Sequence, residues 1–283
     1  MLNAHDIKWL HVEASSKCNA WCPACPRNKN GYGLIDGLIE QDLLPSQFET
    51  IVSRLPSLQT VQFCGNYGDP IASSYIIDLV QIAKKHANKI QIHTNGSLRN
   101  TDWWRDFAQQ LIDIDHNVWF GIDGLNEIHE IYRQGTDFDK IMANAEAFIK
   151  HGGHATWQFI PYQHNEHQVS AALKMSQKYK FKKFHVAKLY RQQTVARHFK
   201  TGQEFELRPT KSMAYLTNIG QKKQIPDRQK CMHLNLPSIY VSASGHISRC
   251  CYFADQDNFA DVESFTNNAV VDLSVKKCII SCG

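Results

Sequence analysis

Between residues 9 and 187 short apolar runs alternate six times with longer stretches of helical periodicity, and few folds accept that order. "WLHVEA" (9–14), "TVQFC" (60–64), "KIQIH" (89–93), "NVWFGID" (117–123), "ATWQFI" (155–160) and "KKFHVA" (182–187) read as strands from their β-branched and aromatic content. Between them, Pro45 opens a helix with Phe48, Ile51, Val52 and Leu55 on one face. Further helical patterns run over 74–86, 101–112, 138–152 and 165–180. Strands separated by helices pair in parallel through right-handed crossovers, which predicts an α/β parallel sheet or barrel. In such folds the chemistry collects on the loops that leave the C-terminal ends of the strands.

The chain has 283 residues, 43% hydrophobic and 20% charged, enough for one large domain or a domain with an appendage. A net charge of +4 without a Lys/Arg run names no partner: neither a nucleic-acid stripe nor a polybasic membrane anchor is present in the sequence. The start, "MLNAHDIKWLHVEASSKC", lacks the pattern of a targeting peptide, and no apolar run reaches membrane-spanning length. The expectation is a cytoplasmic enzyme. Nine cysteines in a reducing compartment point to metal or catalytic use rather than disulfides. They group as Cys18, Cys22 and Cys25 near the start, a lone Cys64, and Cys231, Cys250, Cys251, Cys278 and Cys282 toward the end, which suggests two metal sites.

The first group, "CNAWCPAC" (18–25), follows the first predicted strand with the spacing C-x3-C-x2-C. Three thiolates can hold three irons of a four-iron cluster and leave the fourth open for a ligand. The alternative is zinc, although tetrahedral zinc sites usually pair C-x2-C units, and the next cysteine, Cys64, ends a strand.

These features resemble the radical S-adenosylmethionine (SAM) superfamily, whose signature is this thiol loop after the first strand of a partial barrel. The resemblance runs over about residues 8–187 and implies a partial (β/α)6 barrel. "CGNYGDP" (64–70) is similar to the family's Gly-Gly-Glu-Pro element, so Gly68 and Asp69 would contact the methionyl amine of SAM. "HTNGSL" (93–98) and "FGIDGLNEIHEIYR" (120–133) imply Asn95 and Asp123 near the ribose or methionine part, and "IPYQHNE" (160–166) implies Asn165 as a further contact. Relatives often carry a large apolar residue before the third cysteine to cover the adenine. Here it is Ala24, which leaves that role to Trp21 or to backbone near 186–189. His164 and His167 sit three apart, but isolated histidines are mostly packing or surface residues. By this resemblance a 4Fe-4S cluster on Cys18, Cys22 and Cys25 cleaves SAM reductively to a 5′-deoxyadenosyl radical, which abstracts a hydrogen atom from a substrate.

The last fifth, "CMHLNLPSIYVSASGHISRCC" (231–251) and "CIISC" (278–282), resembles the truncated auxiliary-cluster module of this superfamily, the twitch form of the SPASM extension. It implies a small α+β module over 231–283 after a barrel at 1–187 and a linker or lid at 188–230. One auxiliary 4Fe-4S cluster would sit on Cys231, Cys250, Cys278 and Cys282, with Cys251 a neighbour and Cys64 a packing thiol; zinc at the four thiols is the alternative. "IYVSASGHISRC" reads as a hairpin turning at Gly245. Tyr190 and Arg191 follow the sixth strand and are expected to face a substrate between the clusters, Arg191 clamping a carboxylate or phosphate or else pairing with Glu166. The substrate is a small molecule or a peptide, and peptide modification is disfavoured by the short lead before the first strand. The implied partners are that substrate and an electron donor such as flavodoxin or ferredoxin. Three outcomes stay open: oxidative dehydrogenation or crosslinking, redox-neutral epimerase or mutase chemistry, and a non-catalytic iron-sulfur or zinc protein.

Overall fold

Along the strands, residues with no exposed surface alternate with half-buried ones, so each strand offers one face to a layer of helices and the other to the inside of the sheet. A computed structural model describes residues 3–187, 194–212, 237–251 and 259–268. The six strands appear in the expected order: β1 (Trp9–Val12), β2 (Thr60–Phe63), β3 (Lys89–Thr94), β4 (Asp115–Gly121), β5 (Ala155–Phe159) and β6 (Lys183–Val186). Each pairs in parallel with the next. Helices α1 (Pro45–Val52), α2 (Ile76–His86), α3 (Thr101–Leu111), α4 (Glu127–Tyr132), α5 (Phe138–Lys150) and α6 (Val169–Lys178) connect them.

Local chemistry sets these elements. Pro45 occupies the first turn of α1, where its missing N–H costs nothing. The Asn100 side chain accepts the Trp103 N–H at the start of α3, and Asp137 accepts from Lys140 at the start of α5. The helix-facing side chains Leu10, Val12, Val61, Phe63, Ile90, Ile92, Val118 and Phe120 are all 0% exposed. Phe120 packs against aromatic residues of α3 and α5, where Trp104 lies 5.1 Å from Phe120 and 5.7 Å from Phe148 between ring centres, and Phe63 meets Phe48 of α1 at 5.9 Å.

Three differences from the sequence reading have physical causes. The helix expected over 165–180 begins as a 3-10 turn at Glu166–Gln168 because Asn165 turns its side chain into the chain around it. The fourth strand is shifted to Asp115–Gly121; past its end the Ile122 N–H donates to the Gln158 carbonyl of β5, and the Asp123 side chain turns to the Ile160 N–H just after β5. The 188–230 segment holds an antiparallel hairpin, β7 (Thr194–Arg197) with β8 (Glu204–Leu207).

The predicted hairpin at Gly245 is present as β9 (Ser238–Val241) and β10 (Ile247–Ser248), with Gly245 at φ 84° in the turn. It continues the main sheet, because β9 pairs in parallel with β1 and gives the order β10-β9-β1-β2-β3-β4-β5-β6. A short helix α7 (Val262–Asn268) follows and buries Val262 and Phe265.

Candidate active site at the thiol loop

The loop after β1 carries Cys18, Cys22 and Cys25. Cys22 is buried and the other two are half-buried. The Cys25 N–H donates to the Cys22 carbonyl at 3.0 Å and the Ala20 N–H approaches Cys18 Sγ at 3.4 Å, so the loop curls around its own sulfurs. The three thiols pack with Ala20, Tyr132, Tyr162, Ala196 and Leu207 in an apolar cluster separate from the main core. From below, the buried Arg27 donates to the carbonyls of Ser16 and Tyr67 and pairs with Glu40. Gly31, at φ 93°, lets the hairpin close in: a Cβ there would fall 1.9 Å from the Arg197 carbonyl oxygen.

Among the described residues no three His, Cys, Asp or Glu side chains converge on the position of a single ion. Three thiols spread over one loop in an apolar setting fit a multi-iron cluster, in which each thiolate takes its own iron. Burial, then the Asp69 carboxylate and the neighbouring thiols, push the Cys18 thiol well above its ordinary range.

The β2 and β3 loops bring Asp69 and Asn95 to Cys18. Asp69 is 4% exposed, and its carboxylate accepts from the Asn95 N–H at 2.7 Å, the Ile71 N–H at 2.9 Å and the Thr94 hydroxyl at 2.9 Å. Burial raises its pKa against the pull of these donors. Thus held, Asn95 directs its amide to Asn19 Oδ1 at 2.9 Å and to Cys18 Sγ at 3.8 Å, while Asn19 donates to Ser97 at 2.7 Å. Gly68 abuts the thiol loop itself: a Cβ would stand 1.9 Å from the Ser15 carbonyl oxygen.

After β4 and β5 the chain builds an ion pair between a fully buried carboxylate and a partly buried guanidinium. Arg133 Nε donates to Asp123 Oδ2 at 2.6 Å, and Asp123 Oδ1 accepts the Ile160 N–H at 2.6 Å. Burial works against the Arg133 charge, but Asp123 and Cys22 outweigh it and hold the guanidinium well above its ordinary pKa. Asn165, 0% exposed, donates to the Asp123 and Ile160 carbonyls and accepts the Tyr162 N–H. His129 Nδ1 accepts the Asp123 N–H at 3.1 Å. Its Nε2–H therefore donates to Thr136, whose own hydroxyl donates to the Arg133 carbonyl. Burial, with Arg133 nearby, lowers His129 to about 3, so the ring is neutral.

Of the other candidate residues, Trp21 stacks on Phe199 with ring centres 5.5 Å apart. His164 stacks on Tyr162, whereas His167 is exposed. Cys250 is buried beside β10, and the Asn66 side chain donates to the Cys251 carbonyl at 2.7 Å. Tyr190, Arg191, Cys231, Cys278 and Cys282 lie outside the described residues. Glu166 accepts from Thr210 and from the Lys211 N–H.

Sequence reasoning missed Glu13. This buried carboxylate accepts the Tyr67 and Gly68 N–H groups at 2.6 and 3.1 Å and the Tyr240 hydroxyl at 2.6 Å, linking the Gly68 loop to the C-terminal hairpin. Burial raises its pKa. The available signal was a carboxylate at an otherwise apolar strand end.

The Radical SAM superfamily profile matches residues 12–175, more than half the chain. This protein belongs to that superfamily. A tungsten-containing aldehyde ferredoxin oxidoreductase cofactor-modifying protein of Pyrococcus furiosus is 26% identical over 129 residues, 46% of this chain and 34% of that protein. A cysteine-type anaerobic sulfatase-maturating enzyme of Clostridium novyi is 28% identical over 158 residues, 49% of this chain and 39% of that one. The chain thus aligns with well under two thirds of either. The crystal structure of Streptococcus suis SuiB bound to S-adenosylmethionine has the same fold, with a TM-score of 0.62 at 13% identity over 98% of this chain and 73% of that chain.

Proposed function

We propose that the protein is a SAM-cleaving radical enzyme in which Cys18, Cys22 and Cys25 hold a 4Fe-4S cluster with one iron left for SAM. The observation that carries this reading is the thiol loop at the C-terminal end of β1, backed by Asn95 at Cys18 Sγ. When bound, the cluster and SAM supply a carbon-centred radical able to take a hydrogen atom from substrate.

The chain's own residues do the rest. The Asn95 amide orients the Cys18 sulfur and draws charge from it, as partners beyond the ligands do at metal sites. Tyr132 and Tyr162 keep water from the thiols. Gly68, Asp69, Asn95, Asp123, Asn165 and Trp21 frame SAM chiefly through the loops they hold, since the Asp69 and Asn165 side chains are already spent on protein donors and acceptors.

The oxidative outcome, in which an auxiliary 4Fe-4S cluster on Cys231, Cys250, Cys278 and Cys282 accepts the second electron, rests on the cysteine pattern and on the buried position of Cys250 next to the barrel sheet. Tyr190 and Arg191 are the proposed substrate contacts, from their place after β6. Flavodoxin or ferredoxin is the proposed electron donor, and the substrate a peptide or small molecule.

Anaerobically reconstituted protein given SAM and dithionite is expected to release 5′-deoxyadenosine, and the Cys18→Ala, Cys22→Ala, Cys25→Ala variant is expected to release none. Zinc without iron in the reconstituted protein, or unchanged SAM cleavage by the variant, would refute the assignment.

A further inference from the structure

A closed parallel barrel is filled by branched aliphatic side chains. The inward face of this sheet is not. It presents His11, Gln62, His93, Trp119, Gln158 and His185, brought side by side by the register of the parallel strands, with His11 opposite Gln62, His93 opposite Trp119, and Gln158 opposite His185. All six keep accessible surface, while the residues that alternate with them toward the helices on β1 to β5 are buried; on the edge strand β6, Phe184 and Val186 are half-buried like His185.

These side chains also touch. His93 and Trp119 stack with ring centres 5.0 Å apart and planes 10° from parallel, and His185 meets Trp119 edge-on at 5.4 Å.

Among the described residues, the formal charges around this face are paired or exposed: Arg133, whose Nη2 stands 2.5 Å from where a Cβ on Gly121 would lie, two residues beyond Trp119, is committed to Asp123. Glu13 at the top is engaged by Tyr240 and two backbone amides, Lys89 and Asp115 pair with each other at 2.8 Å at the bottom, and the exposed Lys183 lies 5.8 Å from the Trp119 ring. Burial lowers His93 to about 4 and also lowers His185, so both rings are neutral at pH 7.

We propose that this face seats an uncharged, planar, amide-type group of the substrate, with the His93–Trp119 stack as its floor and Gln158 and His185 as its hydrogen-bonding partners. This deepens the function proposed above and rests on it for the identity of the occupant as substrate. A neutral imidazole and a carboxamide each carry a donor and an acceptor, which matches an amide's own pair. Stacked rings favour a flat group over a bulky one. An ammonium seated there would shed its hydration for neutral partners, and a carboxylate would find the solvent-exposed Lys183 and an Arg133 already paired with Asp123, so a charged occupant is disfavoured against an uncharged one.

Acetamide and acetate share size and shape and differ in charge. With the anaerobically reconstituted protein labelled on histidine, acetamide is expected to shift the His93 and His185 ring resonances saturably, at a concentration at least about tenfold below that at which acetate has any effect. His93→Phe and Gln158→Leu, checked for folding by circular dichroism, are expected to remove the acetamide effect on His185. Equal responses to the two probes, a preference for acetate, or an acetamide shift that survives both substitutions would overturn the proposal. If neither variant folds, the comparison of the two probes on the unmodified protein decides alone. SAM cleavage is read separately in the same preparation: cleavage without acetamide selectivity sinks this inference and spares the assigned function, and selectivity without cleavage does the reverse.

Discussion

The Asp69 carboxylate and the Asn95 backbone N–H meet at 2.7 Å, and that bond aims the Asn95 side chain at the sulfur of Cys18. One buried carboxylate from the β2 loop thereby fixes the end of β3 and, through it, the thiol loop after β1. Asp69→Ala would strand the Thr94, Asn95 and Ile71 donors in a buried setting. The expected loss is about 2–4 kcal/mol in urea unfolding, and Asp69→Asn, which keeps an acceptor, should lose less. Equal stability of the alanine variant and the wild type would contradict this role.

Arg133, partly exposed, pairs with the fully buried Asp123, so removing the guanidinium leaves a bare buried carboxylate. Arg133→Met is expected to cost about 3–5 kcal/mol. Adding Asp123→Asn, which removes the charge and keeps an acceptor for Ile160, should recover part of that loss. A double-mutant cycle in denaturant measures the coupling, and additive losses would show that the pair is not coupled.

Gly68→Ala introduces a Cβ where the Ser15 carbonyl already stands, 1.9 Å away. Backbone must move, so a loss of about 1–3 kcal/mol is expected. Because Ser15 leads directly into the thiol loop, the iron bound after reconstitution should fall as well. Iron and sulfide assays beside the unfolding curve check both effects.

His129 is held neutral, with its pKa near 3 in the fold against 6.5 unfolded. Between these values the unfolded chain binds the proton more readily, so stability rises with pH across the window and is lost as pH falls from about 6.5 toward 3. At pH 5 the loss amounts to roughly 2 kcal/mol. Glu13 and Asp69, whose pKa values are raised, act with the opposite sign, gaining as pH falls. The informative quantity is therefore the difference between the wild type and His129→Asn, whose unfolding free energy should depend less steeply on pH between 7 and 5.

The sequence by itself determined the order of strands and helices and the spacing of the three thiols. Both are short-range properties: side-chain period fixes which residues a strand or helix can bury, and a C-x3-C-x2-C run stays together whatever the rest of the chain does. Element ends were legible to within a few residues, except where side chains such as Asn165 compete with the backbone for hydrogen bonds. Tertiary structure alone decided who supports the thiols. Asp69 meets Asn95 across 26 positions and Glu13 meets Tyr240 across 227, and neither pairing leaves a local pattern in the chain. It also decided that β9 extends the sheet beside β1, and that His93, Trp119, Gln158 and His185 form one surface. The reason is register: residues far apart in sequence become neighbours only when parallel strands pair at one offset, and a slip of a single residue would turn those side chains toward the helices.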